Sequence, residues 1–253
     1  MTSDDRTTIL ITGASSGLGA EMARQFAGRG NHLALCARRT ERLESLREEI
    51  LGAHPDCRVE VRALDVNDHD QVFEVFRAFA SDFGTIDRIV INAGLGKGAP
   101  LGTGRFDANR DTAMTNFVGA LAQSEAAMEI FRAQGSGHFV MISSMSAMRG
   151  MPRELATYAA TKAGVAHLAE GLRMELLGKP IKVTVIYPGY IASEMNEGIA
   201  GDQPLMASTE KGVHAIVSAI EKEKASACVP PLPWAPLSVV MKHAPLPVLK
   251  RMM

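Results

Sequence analysis

Thr8-Ile9-Leu10-Ile11-Thr12-Gly13-Ala14-Ser15-Ser16-Gly17-Leu18-Gly19 decides how the rest of this chain is read. Thr8–Thr12 is a short apolar and β-branched run of the kind that forms a strand covered on both faces. Helical periodicity follows over Leu18–Arg29, so the intervening residues are a strand-to-helix turn. Gly13, Gly17 and Gly19 let the backbone of such a turn approach a pyrophosphate closely, and the helix beyond offers unsatisfied N–H groups and a positive dipole end. Three residues separate Gly13 from Gly17, which departs from the common G-x-G-x-x-G spacing.

Outward from that turn, the same alternation repeats. Strands are expected at Thr8–Thr12, His32–Cys36, Arg58–Leu64, Arg88–Asn92, Phe139–Ile142, Lys182–Tyr187 and Ala225–Val229. Helices are expected at Leu18–Arg29, Thr40–Leu51, Asp68–Asp82, Asp107–Arg132, Tyr158–Leu177 and Thr209–Glu223. Repeated βα units of this length build an α/β domain around a doubly wound parallel sheet of about seven strands with helices on both faces. The third strand alternates, Val59-Glu60-Val61-Arg62-Ala63, which assigns it to an edge. Two irregular stretches, Gly94–Arg105 and Gly189–Met206, follow strands and so fall where open parallel sheets place their ligand crevice.

Composition narrows the function classes. The chain has 253 residues, 46% of them hydrophobic, enough to bury a large core within one domain. A formal net charge of -1 gives no electrostatic reason to expect a nucleic-acid partner, which leaves a small-molecule substrate. Cys36, Cys57 and Cys228 are widely spaced, and neither they nor the seven histidines have metal-ligand spacing, so no metal is expected. Met1 to Thr7 is polar and unlike a secretory or transit leader, and no run approaches the length of a transmembrane helix. Reduced thiols and these absences lead to the expectation of a cytoplasmic protein. Only the tail from Val229 to Met253, rich in proline, basic and without acid, departs from the globular pattern.

The chemistry-bearing residues are Tyr158 and Lys162, four apart and therefore on one helical face, with Ser143-Ser144 upstream. An ammonium beside a phenol stabilises its ionised form and brings a weak acid toward working pH. A lone Tyr-x-x-x-Lys more often marks an exposed helix face. Here it joins Thr-Gly-x-x-x-Gly-x-Gly near the N-terminus and Asn92-Ala93-Gly94 after the fourth strand, and together these resemble the short-chain dehydrogenase/reductase family. Order and spacing agree also for Asp65-Val66, Asn116, Ser144 and Pro188-Gly189, so the resemblance covers nearly the whole chain. One departure is that Ser144 to Tyr158 spans fourteen residues, one more than the family pattern, which leaves Ser143 and Ser146 as rival candidates for the serine.

The resemblance implies a single-domain Rossmann fold and a hydride transfer between nicotinamide and a carbonyl or alcohol. Tyr158 would be the general acid or base. Lys162 would lower the phenol pKa and bond the nicotinamide ribose, Ser144 would hold the substrate oxygen, and Asn116 would anchor a water linking Lys162 to solvent. Gly13, Ser15, Ser16, Gly17, Leu18 and Gly19 would cradle the dinucleotide. Asp65 and Val66 would flank adenine, Asn92, Ala93 and Gly94 would support the ribose, and Pro188, Gly189, Ile191 and Ser193 would meet the nicotinamide end.

Leu35-Cys36-Ala37-Arg38-Arg39 ends the second strand without the acid that would bond the adenosine ribose hydroxyls. Arg38 and Arg39 can instead clamp a 2′-phosphate, so NADP(H) is favoured over NAD(H). The bland alternative is that they open a solvated helix capped by Thr40. Leu95, Met145, Met151, Tyr190 and Met195 would give the pocket an apolar wall, with a substrate loop at about 189–207. Residues 1–228 are assigned to the catalytic domain. The tail, 229–253, would pack on a neighbouring subunit or cover the pocket in preference to resting on a membrane, and a homodimer or homotetramer is expected. Rival readings are an NAD-dependent alcohol dehydrogenase and a dinucleotide-binding sensor that kept only the fold.

Overall fold

The computed structural model describes residues 7–96, 98–194 and 205–252. Its strands are β1 (Thr8–Thr12), β2 (His32–Ala37), β3 (Val59–Ala63), β4 (Arg88–Ile91), β5 (Gly137–Ile142), β6 (Ile181–Pro188) and β7 (Ser226–Val229). They pair in parallel in the order β3-β2-β1-β4-β5-β6-β7, so β3 lies at an edge, as its alternation requires. Every residue of β1 is buried because helices cover both faces. One layer contains α1 (Gly17–Ala27), α2 (Thr40–Ala53) and α7 (Thr209–Glu221), which pack Met22, Phe26, Leu43 and Ile216 against β1 and β2. The other contains α3 (His69–Phe83), α5 (Gly119–Gln134) and α6 (Leu155–Glu175), closed around Phe76, Phe79, Phe131 and Phe139.

Strand order reverses direction at β1, where β2 lies on one side and β4 on the other. Beyond the carboxyl ends of β1 and β4 the chain passes to helices on opposite faces of the sheet, and the crevice that holds the site opens between those connections.

Two expectations about helices are corrected. The stretch read as one helix, 107–132, is α4 (Phe106–Ala113), a π-helical turn over Met114–Val118, and α5. The widened turn carries Asn116, which is buried, toward the loop after β4. A one-residue widening of this kind is a common feature of functional positions in helices. The second correction is in the tail, whose prolines gave no expectation of helix. It folds as α8 (Pro231–His243) and α9 (Leu246–Met252). Pro231 occupies the first turn, where a missing N–H costs nothing, and Leu232 breaks the helical path with φ -107° and ψ 133°. Trp234 and Met241 of α8 pack with Met145 into a small core apart from the two main ones. Among the described residues no helix is long and apolar enough to cross a membrane.

Candidate active site

The glycine turn is held by backbone contacts. Gly13 has φ +65°, and a Cβ there would lie 2.8 Å from the Ala93 Cα. A Cβ on Gly19 would lie 2.4 Å from the Gly13 carbonyl oxygen. Thr12 Oγ1 accepts from the backbone N–H groups of Asn92 and Ala93 at 3.0 and 3.1 Å. Asn92 Nδ2 donates to the Thr12 and Gly13 carbonyls at 2.9 and 3.3 Å. These bonds tie the ends of β1 and β4 together and press the turn flat, while the N-terminus of α1 carries no side-chain cap at Ser16. A turn with no side chains in the way and a helix start without a side-chain cap fit a dinucleotide pyrophosphate.

Beyond the turn, the Arg39 guanidinium donates to Ser16 Oγ at 2.6 Å, Ser15 Oγ at 3.3 Å and Glu194 Oε2 at 3.1 Å. Arg42 also bonds Glu194. α2 begins at Thr40 without a side-chain cap bond from Arg39, whose guanidinium is engaged with the turn. Both guanidiniums hold the Glu194 carboxyl below its ordinary pKa, Arg42 more strongly. Arg38, Asp65, Val66 and Asn67 line the same end of the cavity, which suits an adenosine moiety and a phosphate on its ribose.

At the other end, α6 brings Tyr158 and Lys162 to the carboxyl end of β5. Lys162 is buried, its Nζ donates to the Ile142 carbonyl at 3.0 Å, and desolvation lowers its pKa to about 8. Nζ stands 5.9 Å from the Tyr158 ring centroid. Ser143 donates its hydroxyl proton to the Lys162 carbonyl at 2.8 Å, so its side chain is engaged by the helix backbone. Ser144 Oγ instead accepts from Ser146 N at 3.1 Å and hydrogen-bonds Tyr158. Ser146 Oγ accepts from Ser144 Oγ at 3.2 Å, which makes it a partner of Ser144.

The expectation that the phenol is acidified is not met here. Burial raises the Tyr158 pKa above its ordinary value, and the hydrogen bond with Ser144 only partly opposes it. The ammonium that was to lower it is directed at a backbone carbonyl and is itself desolvated. Asn116 is held through its side-chain amide. Its Oδ1 accepts from Leu95 N at 2.7 Å and its Nδ2 donates to the Leu95 carbonyl at 2.9 Å, so the amide clamps the loop after β4. A Cβ on Gly94 would lie 3.1 Å from Asn116 Oδ1 and 3.5 Å from Lys162 Nζ, which places that clamp beside the ammonium.

Both ends open on one cavity of about 600 Å³. Its lining includes Gly13, Ser15, Ser16, Gly17, Leu18, Arg38, Arg39, Asp65, Val66, Asn92, Ala93 and Gly94. Ser144, Tyr158, Lys162, Pro188, Gly189, Ile191 and Ser193 line it as well. Leu95, Met145, Met151 and Tyr190 line the apolar part. Gly19 and Asn116 lie behind the surface and support it, and Met195 falls outside the described residues. Sequence reasoning missed Trp234, Leu237, Met241 and Leu249, which the tail contributes to the lining. Trp234 is 4% exposed, meets Tyr190 edge to face at 5.4 Å, and sits so close to Gly189 that a Cβ there would fall 2.0 Å from the indole. The only signal for it was an isolated tryptophan among prolines.

Comparison with known proteins places these features in context. Residues 7–204 match the family described as short chain dehydrogenase. The chain is 52% identical over 241 residues to an uncharacterized oxidoreductase of Mycobacterium tuberculosis, covering 95% of each. It is 37% identical over 192 residues to 11-beta-hydroxysteroid dehydrogenase 1A of Arabidopsis thaliana, covering 75% of this chain and 54% of that one. Among solved structures, a short-chain dehydrogenase from Sphingobium yanoikuyae in complex with NADPH superposes with a TM-score of 0.82 at 26% identity, covering 96% of this chain and 95% of that one.

Proposed function

The chain belongs to the short-chain dehydrogenase family of nicotinamide-dependent oxidoreductases, and on that premise we propose that it is an NADP(H)-dependent enzyme interconverting a hydrophobic ketone or aldehyde with its alcohol. The observation that carries this reading is the opening of the glycine turn and the Ser144–Tyr158–Lys162 cluster on one cavity. The nicotinamide, when bound, supplies or takes up the hydride. Ser144 holds the substrate oxygen by hydrogen bond. Tyr158 gives that oxygen its proton during reduction and removes it during oxidation. A phenol whose pKa is raised by burial keeps its proton at neutral pH and so enters reduction as the acid. Lys162, charged below about pH 8, supports the phenolate that forms when the proton leaves.

Arg38 and Arg39, with Ser15 and Ser16, support NADP over NAD, because guanidiniums and hydroxyls suit a phosphomonoester and no carboxylate follows β2 to receive the ribose hydroxyls. Met145, Met151, Leu237, Met241 and Trp234 support an apolar substrate. The 11-beta-hydroxysteroid dehydrogenase relative is in keeping with a bulky one. Met114, Phe117 and Leu121 are partly exposed at helical spacing across the π turn and α5, which supports assembly as a homodimer or homotetramer. The test is NADPH consumption across a panel of carbonyl compounds. Turnover is expected with bulky apolar ketones and not with sugars or 2-oxo acids. Tight coenzyme binding with no turnover on any carbonyl would favour the sensor reading.

A further inference from the structure

Glu194 is the one carboxylate that reaches into the arginine cluster at the adenosine end of the cavity among the described residues. Its backbone follows Ser193, whose Cβ lies 3.4 Å from where a Cβ on Gly17 would be. The segment after β6 therefore closes against the phosphate turn, and the Glu194 side chain extends from it across to the first turn of α2. There it accepts from Arg39 at 3.1 Å and also from Arg42. Arg39 is not free to swing away, because Ser15 and Ser16 hold its other N–H groups from the turn itself. A fixed guanidinium with one edge presented to a carboxylate has the geometry that receives a phosphate oxygen.

From this arrangement we propose that Glu194 discriminates between the two coenzymes, by occupying the face of Arg39 and Arg42 that the 2′-phosphate of NADP would take. The inference rests on the NADP reading of the arginines given above. A free 2′-hydroxyl cannot replace a carboxylate at a guanidinium, so NAD binds beside an intact Arg39–Glu194–Arg42 cluster. A phosphomonoester, carrying close to two negative charges, must break it and also meets the repulsion of the displaced carboxylate. Glu194 therefore opposes NADP and leaves NAD untouched. All three side chains are about half exposed, between 42% and 50%, so the cluster is solvent-screened and exchangeable. Exposed ion pairs of this kind shift an equilibrium by a few-fold each, which sets the scale of the effect.

The experiment is calorimetric titration of the wild type and of Glu194→Gln with NADP+, NAD+ and adenosine 2′,5′-bisphosphate. The last carries the phosphate without the nicotinamide end and so reports the arginine cluster alone. Glu194→Gln is expected to tighten NADP+ and the bisphosphate by about threefold to tenfold and to leave NAD+ within about twofold. An equal change for NADP+ and NAD+ would place the action of Glu194 on the part they share and overturn the proposal. Unchanged NADP+ affinity in the variant, with wild-type NADP+ binding intact, would overturn this inference alone. NAD+ bound by both proteins and NADP+ by neither, even after the carboxylate is removed, would overturn it together with the NADP reading. Because residue 194 is exposed, the variant is expected to melt with the wild type, which separates these outcomes from misfolding.

Discussion

Around Gly13 the cavity wall is made of backbone, whereas around Trp234 it is made of side chains that come from the far end of the chain. The first wall works by close approach. Gly13 against Ala93, Gly19 against the Gly13 carbonyl, and Thr12 and Asn92 bridging β1 to β4 leave no room for an added methyl group. The second works by filling space, with Trp234 laid against Gly189 and Tyr190, and Leu237, Met241 and Leu249 also lining the cavity. A dinucleotide is the same molecule for every enzyme that uses it, so a rigid backbone mould suits it. A wall assembled from side chains on two short helices can be altered without disturbing that mould. Tyr158 and Lys162 stand between the two, fixed by α6 to the end of β5.

If this division is right, substitutions should fall into separable classes. The largest effect is expected at the junction: Tyr158→Phe should lower turnover by about 10²- to 10⁴-fold while the coenzyme dissociation constant, read by nicotinamide fluorescence, stays at its wild-type value. Next comes the backbone mould. Gly19→Ala places a methyl group 2.4 Å from a carbonyl oxygen that cannot move aside, and should cost about 2–4 kcal/mol of stability by thermal melting, with coenzyme binding weakened in parallel. Trp234→Ala should spare the coenzyme dissociation constant and raise KM for a bulky ketone by about tenfold. Should coenzyme binding fall as far as ketone binding, the two walls are not independent.

The smallest effect is on pH dependence. Lys162 is charged below its lowered pKa of about 8 and neutral above it. Reductive kcat/KM should therefore hold level on the acid side and decline as pH rises through about 8. The stability contribution of the same group runs the other way. Unfolded Lys162 keeps its proton up to its ordinary pKa of 10.5, so between about 8 and 10.5 the unfolded state binds more protons and this contribution rises with pH. Loss of activity in that window without a fall in melting temperature is the expected signature.

The contrast also explains what could be read from the sequence. Close backbone approach demands glycine, and glycine at 13, 17 and 19 between an apolar run and a helical one is visible in a line of text. So are Tyr158 and Lys162, whose helical spacing is a local property, and the alternation of β3 that marks an edge. The π turn at Met114–Val118 was hidden because a one-residue widening leaves apolar periodicity almost unchanged on either side. Helices α8 and α9 were hidden by the prolines of the tail, and α8 is held by the contacts of Trp234 and Met241 with Met145 and of Trp234 with Gly189, far away in sequence. The engagement of Ser143 by the Lys162 carbonyl and the raised phenol pKa depend on burial, which spacing does not report. The Arg39–Glu194 pair joins residues 155 positions apart, and no local pattern announces it.

The central claim is that Tyr158, Ser144 and Lys162 present a carbonyl to a nicotinamide seated on the glycine turn. Its most direct measurement is the fate of deuterium carried at the transferable C4 position of NADPH when the protein reduces an apolar ketone. Mass spectrometry should find one deuterium on the carbinol carbon of the product, formed in step with coenzyme consumption and abolished in Tyr158→Phe. Coenzyme that stays bound and labelled while no carbonyl compound gains deuterium would contradict the account.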